Sequence, residues 1–186
     1  YKPLIDYPGL QIVVDTPEGY KTGSAVREIH LKAQAHRSDV LHAYTAEAHG
    51  EAIVVDLGVR GQLYAVMRDN DDQDYAADVL FRAFPHDMEY DPSAMVMYYQ
   101  NLKGAATELA PNDYPLMLFF KNPKDMRSAK PVLIMSSDGG RVPIYSIKTN
   151  KFQDYFGQNV KLHSVSLQTT TEPVTSGVVE KFLPNY

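Results

Sequence analysis

The chain has no cysteine among its 186 residues. That absence removes disulfides, thiolate nucleophiles and cysteine-ligated zinc in one step. It leaves the compartment open, because many periplasmic proteins do without cysteine. Tryptophan is missing too, against thirteen tyrosines, so any aromatic contact surface has to be built largely from tyrosine. Basic residues are not in excess: Lys and Arg number 18 against 23 Asp and Glu, for a net charge of −5 and a pI near 5.6. No basic cluster interleaves with aromatics, so nucleic acid is not an expected partner. Nor is there a run of the ~18 apolar residues that a membrane-spanning helix needs, so no transmembrane segment is expected within the chain.

What is present is ordinary globular material, 44% hydrophobic and 22% charged. The length suits one compact domain over 1–186, with 1–9 (YKPLIDYPG) as an extended, proline-bearing lead-in. Leu10 to Ala35 reads as a β-hairpin. Two apolar, β-branched runs flank Thr16-Pro17-Glu18-Gly19, where Pro17 presets φ and Gly19 supplies the positive φ of a turn. After the turn Ile29, Leu31, Ala33 and Ala35 alternate with Glu28, His30, Lys32 and Gln34, which predicts one buried and one wet face.

Residues 37–50 are polar and read as a loop or a short helix. A second hairpin follows, EAIVVDLG (51–58) and QLYAVMRD (62–69), joined at Val59-Arg60-Gly61. Asp69 to Asp74 is an acidic loop, and 75–84 is a short helix or strand stopped by Pro85. Asp91 as N-cap and Pro92 in the first turn open the main helix. Its apolar stripe, Met95, Tyr98, Tyr99, Leu102, Ala106 and Leu109, predicts helix over 91–109. Strands are predicted at 114–121 and 131–137, with a return arm after Asp138-Gly139-Gly140. A short helix capped by Thr149 or Asn150 ends at Gly157, and a last strand covers 159–171. Strands dominate without βαβ alternation, so the predicted fold is α+β: a mostly antiparallel sheet of hairpins with one main helix packed on it.

Several segments also carry a likeness beyond their periodicity. They are DTPEGYKTGSAVRE (15–28), VVDLGVRGQLYAVMR, DYAADVLFRAFP (74–85), FFKNPKDMRSAKPV, FQDYFGQNVKLHSVSLQ and EPVTSGVVEKFLP. Together they resemble a family of small, uncharacterised proteobacterial proteins with an N-terminal hydrophobic segment before the domain; 86–104 has no counterpart in that pattern. The resemblance implies an exported or membrane-anchored protein facing the periplasm, with Tyr1 just beyond the lost segment. It assigns no functional residue.

Candidate chemistry is sparse. His30, His36, His42 and His49 fall in one quarter of the chain, but His30 and His36 are about 20 Å apart along a straight strand, too far to share an ion. They read as surface histidines. Asp69, Asp71 and Asp74 invite calcium, yet the EF-hand pattern needs Gly and Glu where Asp74 and Leu80 stand. Thr22-Gly23-Ser24 and Ser136-Ser137-Asp138-Gly139-Gly140 set hydroxyls beside glycines without making a nucleophile elbow or a phosphate loop, and read as turns.

The tyrosine- and methionine-rich stretch 86–99 is the candidate contact surface, with Tyr90, Tyr98 and Tyr99 as binding residues. The competing account is that Met95, Tyr98 and Tyr99 pack the helix on the sheet, with Tyr90 the exposed member. The functional expectation is a non-enzymatic, envelope-located binding or accessory domain with an envelope protein as partner and oligomeric state open. The alternative is a hydrolase drawing His and Asp from 30–56. No metal site and no cofactor is expected. Elemental analysis of protein purified without added metal should find no stoichiometric zinc; near-stoichiometric zinc would revive the hydrolase.

Overall fold

The computed structural model describes residues 4–5, 8–33, 44–67, 75–86 and 92–185. The strands in chain order are β1 (Leu4–Ile5), β2 (Pro8–Thr16), β3 (Gly19–Val26), β4 (Glu28–Ala33), β5 (Tyr44–His49), β6 (Ile53–Asp56) and β7 (Gln62–Ala65). Helices α1 (Tyr75–Ala83) and α2 (Pro92–Asn101) come next, then β8 (Ala106–Glu108), β9 (Met117–Phe120), β10 (Ala129–Pro131), β11 (Leu133–Ser137) and β12 (Tyr145–Asn150). Helix α3 (Phe152–Phe156) and β13 (Lys161–Thr169) complete the set. They form two four-stranded sheets, β3-β2-β13-β8 and β10-β9-β7-β6, a three-stranded sheet β1-β4-β5 and a two-stranded ribbon β11-β12. Every pairing is antiparallel. The α+β, mostly antiparallel fold is therefore present, divided among several sheets.

The first hairpin forms where its letters place it. Thr16 pairs with Gly19, whose φ is +105°, and the Thr16 hydroxyl donates to the Gly19 carbonyl at 2.7 Å while accepting from the Glu18 N–H at 3.2 Å. Along β2, Leu10, Ile12, Val14 and Thr16 are buried while Gln11 is exposed, the period-2 signature of a strand with one core face. The return arm is shorter than 35, however. β3 stops at Val26, the chain turns a corner at the buried Arg27, and β4 leaves for another sheet, between β1 and β5. Ile29 is fully buried there and Glu28 half-buried. The side chains of Leu31, Lys32 and Ala33, and residues 34–35, lie outside the described set. The lead-in is extended as expected, but Leu4 and Ile5 are ladder residues opposite His30 and Ile29. In 37–50, the part described is strand β5.

The predicted 91–109 helix is corrected to α2 alone. After Asn101 the chain turns through Lys103-Gly104, and Ala106–Glu108 joins the edge of β13 as β8. Ladder bonds to β13, together with Leu109 N–H donating to Val165 O at 2.8 Å, override a helical spacing that had no hydrogen-bonding competitor in the sequence alone. Leu109 is still buried, so the periodicity found a core residue and the wrong element. α1 and α2 are of similar length, nine and ten residues, so among the described residues no single helix is the main one. Asp91, the expected cap, lies outside the described residues.

The main core lies between the two four-stranded sheets. Leu10, Ile12, Val14, Ala25, Val165 and Leu167 face Ile53, Val55, Leu63, Ala65 and Met117. The same cluster continues to Ile29, and to Tyr75, Val79, Leu80, Met95 and Tyr99 on the helices. Burying each large apolar side chain of this set contributes ~1.5–3 kcal/mol. β6 is buried on both faces, Ile53 and Val55 inward and Val54 outward, which is why it reads as an unbroken apolar run. Its outer neighbours Tyr64 and Phe120 meet edge-on, 5.1 Å between centroids, under Val179 and Leu183 of the C-terminal segment. That segment is strapped down by Thr175 N–H to Val26 O (3.0 Å), Val178 N–H to the Glu51 carboxylate (3.0 Å) and Asn185 to Lys124 O (2.8 Å).

Two contacts hold the hairpins at their distances. Gly23 sits in mid-strand, not in a turn as its Thr-Gly-Ser setting suggests. A Cβ there would overlap the Val54 carbonyl oxygen and lie 2.8 Å from its carbon and 2.9 Å from Val55 Cγ2. Arg60, in the tight 3₁₀ turn between β6 and β7, donates to both Glu18 oxygens at 2.9 Å and to Phe156 O at 3.0 Å. It therefore ties the first turn to the end of α3. The Arg60 guanidinium beside it holds the Glu18 carboxyl down at about 2.

Gly23→Ala should destabilise at or above the ~1–3 kcal/mol typical of overpacking, because the obstacle is backbone. Gly9→Ala, where a Cβ meets nothing closer than 3.5 Å, should be tolerated; thermal melts of the pair decide. The Glu18 carboxyl is depressed in the fold, so its stabilisation is complete above the ordinary value of 4.5 and lost as pH falls toward about 2. The gap in melting temperature between wild type and Glu18→Gln should accordingly close across that window. No gap at neutral pH would mean the exposed pair contributes nothing.

Candidate functional site: the open face of the β3-β2-β13-β8 sheet

Residues that alternate away from the core make the outer face of this sheet. Register aligns Ser24, Gln11, Ser166 and Glu108 in one row across all four strands, and Val26, Gly9, Gln168 and Ala106 in the next. The second row is low at Gly9, which has no side chain, and at its β8 edge, where Ala106 has a small one. The result is an open cleft of about 440 Å³ floored by these strands and bounded by Thr170 and Glu172. The bounding turn is built locally: the Thr170 hydroxyl accepts from the Glu172 N–H at 3.2 Å. Just before it, Thr169 N–H donates to Ala105 O at 2.9 Å and the Thr169 hydroxyl bonds Leu102 O, which ties the strand end to the turn after α2.

The chemistry of the cleft is narrow. Two side-chain amides (Gln11, Gln168) and three hydroxyls (Ser24, Ser166, Thr170) supply neutral donors and acceptors, and among the described residues Glu172 is the single ionisable side chain in the lining. A hydroxyl nucleophile needs an adjacent base and general acid–base work needs a positioned titratable group. Among the described residues the lining has no histidine, lysine or second carboxylate; Glu108, opposite Ser166 in the first row, lies on the edge strand outside it. At the far end of the same sheet Tyr20, 63% exposed, meets His163 with its ring tilted and 4.6 Å between centroids.

The sequence-predicted candidates fall elsewhere. Tyr99 is 1% exposed and its hydroxyl donates to Phe84 O at 2.9 Å; Tyr98 is half-buried and donates to Pro85 O at 3.1 Å. With Phe81 and His86 they form a ring cluster that fastens α2 to the end of α1. Tyr90 lies outside the described residues, as do Asp69, Asp71, Asp74, His36 and His42.

His30 does meet another histidine, but across strands. β4 and β5 set Glu28 opposite His49 and His30 opposite Glu47, bringing the His30 and His49 rings to 4.7 Å. His30 Nε2 also lies 2.8 Å from the Glu28 carboxylate. Among the described residues no three His, Asp or Glu side chains are arranged to hold a metal. Asp56 is engaged within its own hairpin, accepting from Gly58 N–H at 3.0 Å and Gln62 at 3.1 Å. Tyr64, buried beneath the C-terminal segment beside Asp56, has its phenol pushed up to about 12, first by burial and then by that carboxylate.

The open sheet face went unnoticed in the sequence. Gln11, Ser24, Ser166 and Gln168 are polar residues at outward strand positions, which is unremarkable one strand at a time. Only the register makes them neighbours. No described helix is long and apolar enough to cross a membrane. Comparison of the chain with protein-family models, curated proteins and solved structures finds no match.

Proposed function

We propose that the chain is a non-enzymatic binding or accessory domain of the bacterial envelope, periplasmic or anchored facing the periplasm, and that it takes its partner on the open face of β3-β2-β13-β8. One observation carries the reading: a concave polar surface whose described lining is built of amides and hydroxyls, with one carboxylate, Glu172, at its edge. Such a surface recognises through hydrogen bonds in fixed positions, and Glu172 at its edge favours a neutral or cationic ligand group. The envelope location rests on the resemblance of the hairpin segments to exported proteobacterial proteins.

The His30–His49 pair is the feature that favours the hydrolase reading. It supplies imidazoles beside Glu28 and Glu47; of the two aspartates in 30–56, Asp56 is held in the β6–β7 hairpin and Asp39 lies outside the described residues.

Because the chain lacks cysteine, a single introduced thiol can carry a photo-crosslinker to a chosen spot. Ser24→Cys, in the cleft, should give discrete adducts with native envelope fractions. Lys121→Cys, in the exposed segment after β9, should give none. Identical adducts from both positions, or none from Ser24→Cys, would remove the open face as the binding surface.

A further inference from the structure

The ribbon β11-β12 stands apart from the sheets. Its root is clamped where Val132 N–H donates to Met117 O and Lys151 N–H donates to Val132 O, at 2.9 and 2.8 Å. One side is braced by the Tyr145 N–H on the Asn112 side chain at 2.9 Å. Beyond that root the apolar side chains face water: Val142 is 80% exposed and Ile144 65%, with Ile134 and Ile147 partly exposed below them. The tip is built rather than slack. Asp138 accepts from Gly140 and Ile144 N–H at 3.0 and 3.1 Å, and its own N–H donates to Ile144 O at 3.1 Å. The loop so closed presents Arg141-Val142-Pro143-Ile144 outward.

Charge points to the occupant. The chain is at −5 overall, yet 130–151 holds four cations against one carboxylate, Asp138, which is engaged with its own loop. Lys151 pairs with Asp154; Arg141 and Lys148 are exposed and have no acidic partner among the described residues. An apolar tip flanked by unpaired cations matches an anionic lipid surface, whose headgroups take the charge and whose interface takes the side chains. A strand-adding partner fits less well on β12, where the extra residue Lys148 bulges the strand it would pair with.

We propose that the β11-β12 ribbon is a membrane-surface anchor, with Val142, Pro143 and Ile144 entering the bilayer interface and Arg141 and Lys148 binding anionic headgroups. This stands independently of the cleft.

Sedimentation with vesicles of phosphatidylglycerol and phosphatidylcholine, against phosphatidylcholine alone, tests it. Wild type should partition to the anionic vesicles and be released by strong salt. Arg141→Gln and Lys148→Gln should each lower the partition about fivefold, and Val142→Asp with Ile144→Asp should abolish it at unchanged melting temperature. Since the chain has no tryptophan, Val142→Trp gives one emission signal that should shift blue on anionic vesicles. No sedimentation, equal binding to neutral vesicles, or tip variants that bind like wild type would overturn the anchor. So would a wild-type dimer that the tip variants dissolve without any vesicle binding, which would make the ribbon a contact between copies.

Discussion

The contact of β3 with β6 at Gly23 sets the spacing on which the rest of the architecture depends. Two twisted sheets normally pack with side chains between them, about 10 Å apart. Here the Val54 carbonyl occupies the place a side chain at 23 would take, so backbone meets backbone between the edge strands β3 and β6. The space the sheets enclose is then filled by Ile12, Val14, Val165, Leu167, Ile53, Val55 and Leu63, each at or near zero exposure. A residue larger than glycine would push those two strands apart. The loss would reach the whole interior, since interiors packed near crystal density have no slack to absorb the displacement.

Local hairpins were legible because everything that specifies them lies within a few residues. Thr16-Pro17-Glu18-Gly19 carries its own turn chemistry, the 51–65 pair its glycine-bounded loop, and 131–150 its Asp-Gly-Gly reversal. What was not legible is which hairpin strands separate. The strict alternation begins only at Glu28: Val26 and Arg27 are out of phase with the run that follows, and the chain changes sheets there. A slip of parity by itself does not say whether a strand bulges, bends or leaves for another sheet. The 91–109 stripe misled for a related reason: Ala106 and Leu109 satisfy helical spacing, while the competing bond donors and acceptors sit on β13, some sixty residues away. Gly23 looked like turn punctuation because its true constraint, Val54, is thirty-one positions distant in sequence.

The candidate site was illegible on the same principle. His30 and His36 are far apart along one strand. The structure supplies His49 instead, one strand over, where neighbours lie about 5 Å apart whatever their separation in sequence. The row Ser24-Gln11-Ser166-Glu108 likewise draws on four strands from three regions of the chain. A surface defined across strands has no one-dimensional signature, whereas a helix face or a metal-ligand spacing does.

The two four-stranded sheets treat their outer faces oppositely, and composition explains why. The outer face of β10-β9-β7-β6 carries Val54, Tyr64 and Phe120, and leaving them wet would forfeit ~1.5–3 kcal/mol apiece. The C-terminal segment therefore lies across it, held by Val179, Leu183 and the bond from Val178 to Glu51. The outer face of β3-β2-β13-β8 carries Gln11, Ser24, Ser166 and Gln168, whose hydrogen-bonding groups water satisfies at no loss. Covering them would require a partner for every donor and acceptor. The same C-terminal chain touches this sheet at Val26 through Thr175, then departs toward the apolar side. The face is open because the hydrophobic effect has no claim on it. Whatever binds there must replace water bond for bond, which makes positions of amides and hydroxyls, rather than buried area, the basis of recognition.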